Sequence, residues 1–220
     1  MGEGVIFTRM IPAPGVIVKY GLALGIAAAG VLLLVNLYAG YRHLQKARTA
    51  SAANLEGVRR PAPAFEAVDQ EGRAVTLETL RGKVWVAGFV FTNCQGPCPV
   101  ITRRMAEIQE RVRDLENARL VSLSVDPARD TPEVLQDYAR RNGAEEGRWL
   151  FLTGEPEAIL RVVKEGFLTA VQPVEGSDQV IHGTMLAVVD ARGEIRGFFE
   201  GLAADAPERV AERLRALHGE

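Results

Sequence analysis

Sulfur and imidazole are the scarcest chemistry in this chain. Its 220 residues include two cysteines, Cys94 and Cys98, and three histidines, His43, His182 and His218. A structural zinc site normally takes four protein ligands, and the chain has no further cysteine to supply them. A basic excess is missing too. The formal charge is −2, and residues 1–53 hold five basic side chains and one acidic one, leaving 21 basic against 27 acidic beyond them, a net of −6. A mildly acidic domain without a basic stripe is a poor nucleic-acid binder, so no nucleic-acid partner is expected. There is no internal repeat and no low-complexity tract. The length suits one globular domain with an appendage.

One long apolar run is present. Tyr20 to Tyr41 reads "YGLALGIAAAGVLLLVNLYAGY", with Asn36 as its only strongly polar side chain. At ~1.5 Å per helical residue the run matches a ~30 Å hydrocarbon core. Tyr20, Tyr38 and Tyr41 lie near its ends, where amphipathic rings prefer the interface. A cleaved signal peptide is the rival, with "ASAA" downstream as a small-residue site, but the apolar core exceeds the usual ~7–15 residues. The expectation is a short N-terminal segment over 1–19, a single transmembrane anchor over 20–41 and a linker over 42–61. The domain then spans 62–220. Flanking charges do not fix orientation: Arg9 and Lys19 lie on one side, Arg42, Lys46 and Arg48 on the other.

The rest of the chain alternates between strand and helix patterns. "AFEAVDQEGRAVTL" predicts a hairpin turning at Asp69–Gly72. "KVWVAGFVF", "ARLVSLSVD" and "RWLFLTG" are apolar runs suited to buried strands. Ile101, Met105, Ile108, Val112 and Leu115 make a helical stripe. "DTPEVLQDYARRNG" places Thr131 as N-cap, Pro132 at the first helical position and Gly143 past the end. "EPEAILRVVKEG" repeats that punctuation, "TMLAVVDARGEIRGFFEG" predicts a hairpin at Asp190–Gly193, and Val210, Leu214 and Leu217 mark a closing helix. This order predicts an α/β domain with both sheet faces covered, resembling a thioredoxin-like fold: a central mixed sheet flanked by helices.

In such sheets ligands gather at the carboxyl ends of the strands, and Cys94 and Cys98 lie there, between a strand and a helix. Three readings stand. The pair is a buried or structural one; or a redox pair, although three residues separate the cysteines where the usual signature has two; or the soft half of a metal site. A disulfide closing so short a loop gains little from chain entropy. A helix N-terminus lowers a thiol pKa, so reactive thiols are expected. Two thiolates suit Cu(I) or zinc, and an imidazole suits zinc and Cu(II). His182 precedes a strand, whereas His43 adjoins the anchor and His218 lies near the C-terminus. Met185 reads as core, and Asp126 as a candidate to support the site.

"FVFTNCQGPCPVIT", "LVSLSVDPARDTPEVLQDYA" and "IHGTMLAVVDARGEIRGFF" resemble, in order and spacing, the three signature blocks of the Sco/SenC family, over Ala62 to Leu217. The resemblance implies a membrane-anchored, thioredoxin-like copper chaperone in the cytoplasmic membrane, with its soluble domain on the periplasmic side. Copper, as Cu(I) and/or Cu(II), would be held by Cys94, Cys98 and His182. The implied partner is the copper-centre subunit of cytochrome c oxidase, with another copper chaperone or a thiol reductase upstream. The alternatives are a thiol–disulfide reductase using Cys94 and Cys98 on an oxidase's copper-ligand cysteines, and a copper or redox sensor. The chain reads as a carrier before an enzyme. It departs from the family in having Gln95-Gly96-Pro97 between the cysteines, without the usual aspartate, and Gly183 after the histidine. Loss of the aspartate's charge should ease thiolate formation.

Overall fold

The computed structural model describes residues 29–41, 57–177 and 179–220. Two compact units are present, divided after Ala50. In the first, residues 29–41 are helical (α1), and Val31, Leu32, Leu33, Leu34, Val35 and Leu37 are all exposed. Among the described residues no helix is long and apolar enough to cross a membrane. The expected anchor runs over 20–41, and its residues 20–28 lie outside the described residues, as do 1–19 and 42–56.

The second unit is built on a six-stranded sheet. β1 (Arg60–Pro61) joins its edge at the end of the segment read as linker. The central strands are β4 (Val84–Val90), β5 (Ala118–Ser124) and β6 (Trp149–Leu152), which run parallel. β9 (Met185–Val189) and β10 (Glu194–Glu200) complete the order β1-β10-β9-β4-β5-β6, with β9 antiparallel to both β4 and β10. This is the mixed sheet that the alternating strand and helix patterns imply.

Every residue of β4 is buried, because the sheet is covered on both sides. Trp85, Ala87 and Phe89 face one core with Phe65, Leu152, Ile159 and Phe167. Val84, Val86 and Val90 face the other, against Ile101 and Met105 of α2 (Cys98–Arg111), Leu135 of α3 (Pro132–Arg141) and Val210 and Leu214 of α5 (Ala206–His218). The alternation is the period-2 geometry of a strand. Gly88 leaves room for side chains of β9 and α2: a Cβ there would meet Leu186 at 3.2 Å and Met105 at 3.6 Å.

The capping signals hold. The Thr131 side chain accepts from Val134 N, Pro132 opens α3, and Gly143 beyond its end takes φ +70°, a conformation open to glycine. The first hairpin pairs β2 (Glu66–Val68) with β3 (Ala74–Thr76) as expected.

Two features depart from the sequence reading. The third helix is α4 (Pro156–Arg161) followed by a π-helical turn over Val162–Gly166. That wide turn, closed by Phe167 N to Val162 O at 3.1 Å, places the Phe167 ring against Trp85 and Phe89. Leu168 follows, exposed and at φ +55°. The turn-rich stretch before His182 is a second small ribbon, β7 (Val171–Pro173) with β8 (Val180–His182). Val171 and Val180 pack on the core and Ile181 faces out, so the pleat turns His182 inward.

Candidate metal centre

β4 ends at Val90, and Phe91 to Pro97 form the loop that leads into α2. Cys98 is the first residue of α2, with Pro97 as N-cap and Pro99 in the first turn, where a missing N–H costs nothing. The Cys98 side chain is fully buried, and Cys94 is half-buried on the loop. Both are free thiols. The Cys94 sulfur accepts from Gly96 N at 3.4 Å.

His182 arrives from 84 residues away. Its Nε2 lies 3.1 Å from Cys98 Sγ. Its Nδ1 lies 2.9 Å from the Gly183 carbonyl oxygen, which can only accept. Nδ1 therefore carries the proton, and the Nε2 lone pair faces the thiol. The Phe91 ring meets the imidazole edge-on at 6.0 Å between centroids, and Gly183 N donates to Ala170 O to hold the ribbon end. The other described histidine, His218, bonds Asn117 ahead of β5, at the opposite end of the strands.

Burial sets the electrostatics. It pushes the Cys98 thiol well above its ordinary value, reinforced by a hydrogen bond with Cys94 and opposed by a backbone hydrogen bond at Phe91. This reverses the expectation of a lowered pKa for Cys98: one helix N-terminus and the missing aspartate do not outweigh loss of solvent. Burial likewise lowers the His182 pKa, against a raising contribution from the Gly183 carbonyl. The imidazole is neutral at neutral pH, and its own competition with protons sets in below its ordinary range.

A second layer anchors the cysteine loop. Asp130 is buried, and its Oδ1 accepts from the Thr92 hydroxyl at 2.6 Å and from Thr92 N at 3.2 Å. Its Oδ2 accepts from Ser124 Oγ at 2.6 Å. Burial raises the Asp130 pKa, and these three hydrogen bonds limit the rise. Asp126 instead pairs with Arg129 at 2.8 Å, so the support expected of Asp126 falls to Asp130. From the other side Gln179, just before β8, accepts from Gln95 N at 3.4 Å and donates to Asn93 O at 3.2 Å. Asp130 was hidden in "SVDPARDTP", where it reads as a lead-in to the Thr131 cap. Gln179 carried no sequence signal. Met185 is half-buried against the core, as read.

Among the described residues no group of three or more His, Cys, Asp or Glu side chains is gathered closely enough to hold a metal ion. Cys98 and His182 touch, and Cys94 stands on the loop that leads into Cys98. Two sulfurs and one unprotonated imidazole nitrogen are a donor set fitted to copper.

A family model described as SCO1/SenC matches residues 54–219. The "SCO1 protein homolog" of Bacillus subtilis (strain 168) is 36% identical over 141 residues, covering 63% of this chain and 72% of that protein. BsSco, described as a member of the Sco family of cytochrome c oxidase assembly proteins with a disulfide switch, aligns with a TM-score of 0.66 and 30% identity, over 74% of this chain and 95% of the other. Bradyrhizobium japonicum ScoI with copper bound aligns with a TM-score of 0.62 and 25% identity, over 72% and 99%.

Proposed function

The chain belongs to the SCO1/SenC family, and from that premise we propose that it is a membrane-anchored copper carrier that helps assemble the copper centre of cytochrome c oxidase. Cys94, Cys98 and His182 bind the metal as cargo. The observation that carries the reading is the 3.1 Å contact between Cys98 Sγ and His182 Nε2, made by residues 84 apart in sequence and turned toward each other with the lone pair exposed to the sulfur. The copper-bound relative and the oxidase-assembly relative support the same reading. Copper entering here displaces the thiol protons, so the raised Cys98 pKa makes loading proton-coupled. His182 supplies a neutral nitrogen with no proton to lose. Three donors leave the site open to an incoming ligand, which suits a metal that is handed on.

The experiment pairs copper affinity of the reduced chain with oxidase activity in cells, for wild type and His182→Ala. Weakened affinity and lost oxidase activity, with the Cys94–Cys98 disulfide still able to form, are expected. Unchanged affinity and full oxidase activity would overturn the reading.

Two free thiols four positions apart at the start of α2 favour one alternative, a thiol–disulfide reductase acting on the oxidase's own copper-ligand cysteines. Cys94 and Cys98 would give up two electrons and two protons to the client disulfide as their own S–S bond forms. His182→Ala would be nearly silent in that case.

A further inference from the structure

The two halves of the site come from distant parts of the chain, and one side chain ties them. Gln179 stands immediately before β8, three residues ahead of His182, at the turn end of the β7–β8 ribbon, where its carbonyl accepts from Val174 N at 3.0 Å. Its amide oxygen accepts from Gln95 N at 3.4 Å and its amide nitrogen donates to Asn93 O at 3.2 Å. Asn93 and Gln95 are the two chain neighbours of Cys94. The amide thus bridges the loop on both sides of the half-buried Cys94 thiol, using one donor and one acceptor, a pairing that no carboxylate, ammonium or hydrocarbon side chain can reproduce.

The ribbon has few other fixed points. It is two strands of three residues each, outside the main sheet. An isolated two-stranded ribbon is marginal in water. Val171 and Val180 seat one of its faces on the core, while Ile181 and Gln172 face solvent. His182 at its end is one of the groups covering Cys98.

We propose that Gln179 is a positioning residue that latches the histidine-bearing ribbon onto the cysteine loop, so that imidazole and thiols are held together or parted by one side chain. The proposal rests on the copper-site reading above and adds to it the element that sets how readily the site opens. With the latch closed, His182 stays against Cys98 and the loop backbone around Cys94 is fixed. With it open, ribbon and loop are independent, Cys98 is uncovered, and a bound metal loses its nitrogen donor first.

The test uses the full chain in detergent and has two readouts. In the reduced, metal-free protein, iodoacetamide labelling of the buried Cys98, resolved by mass spectrometry, reports how often the site opens. Gln179→Ala is expected to raise that rate by about three- to tenfold, the worth of two partly exposed hydrogen bonds, with the thermal midpoint unchanged. Gln179→Glu keeps only the acceptor and should fall between the two. The second readout is transfer of bound Cu(I) to a chelator, which should accelerate in the same order. If Gln179→Ala leaves Cys98 labelling and Cu(I) transfer at wild-type rates, the latch is overturned while the copper reading stands. If wild type binds no copper yet Gln179→Ala still exposes Cys98, the latch stands and the copper reading falls. A lowered thermal midpoint with all labelling faster in proportion would also overturn the latch, since that describes general loosening.

Discussion

Asp130 shows at the residue scale how a short motif can be read for its smaller role. In sequence it precedes an N-cap threonine and a proline, so its place in a helix start is sufficient explanation. In the folded chain its carboxylate takes three donors, two from Thr92 and one from Ser124, and so fixes where the cysteine loop leaves β4. Asp130→Ala leaves the Thr92 N–H and two hydroxyls without their acceptor, at a cost of about 2–3 kcal/mol. Urea unfolding should show that loss, with copper affinity reduced alongside. A wild-type midpoint and wild-type affinity would contradict the anchoring role. The residues proposed as metal donors stood out in the sequence, because two thiols after a buried strand and a histidine before another carry chemistry by type. Their protonation was not. Cys98 is shifted by burial, and burial is a property of the packed site that spacing cannot report.

Legibility at the scale of elements followed local signals. β4, α3 and the β9–β10 hairpin were readable because an unbroken apolar run, a cap with proline, and a turn at Asp190–Gly193 each act over a few residues. The β7–β8 ribbon was not, since its three-residue strands are held by Val171 and Val180 against a distant core. The π-turn was hidden for a similar reason: the seat of Phe167 between Trp85 and Phe89 decides it.

The β9–β10 hairpin yields a pH prediction. Asp190 Oδ1 accepts from Arg192 N at 3.0 Å and Glu194 N at 2.9 Å, and Oδ2 accepts from buried Arg196 at 2.7 Å. Burial alone would raise the Asp190 pKa, but Arg196 and the two amides together hold it below its ordinary 3.8. The unfolded chain therefore binds this proton first as pH falls. The contribution to stability is complete above the ordinary value and is lost as pH drops through it to the lower folded value. Asp190→Asn should lower the urea midpoint at neutral pH and flatten the acid limb. An acid limb as steep as wild type would contradict the assignment.

The whole molecule joins this domain to an apolar N-terminal run. Helical residues 29–41 expose a continuous series of valine and leucine side chains, a surface that water disfavours and lipid accepts. The proposed anchor over 20–41 predicts that the mature protein keeps this run and that residues beyond Arg42 are cut by protease added to spheroplasts. A mature N-terminus near Ala53, or a protected domain, would contradict it. The proposed placement outside the cytoplasm rests on the proposed client.

The central claim is the ligand set, and X-ray absorption at the copper edge counts ligands directly. The reduced full-length chain loaded with one equivalent of Cu(I) should show two sulfur scatterers and one imidazole nitrogen, and His182→Ala should keep the sulfurs and lose the imidazole signature. A spectrum unchanged by His182→Ala, or one without two sulfurs, would contradict the account.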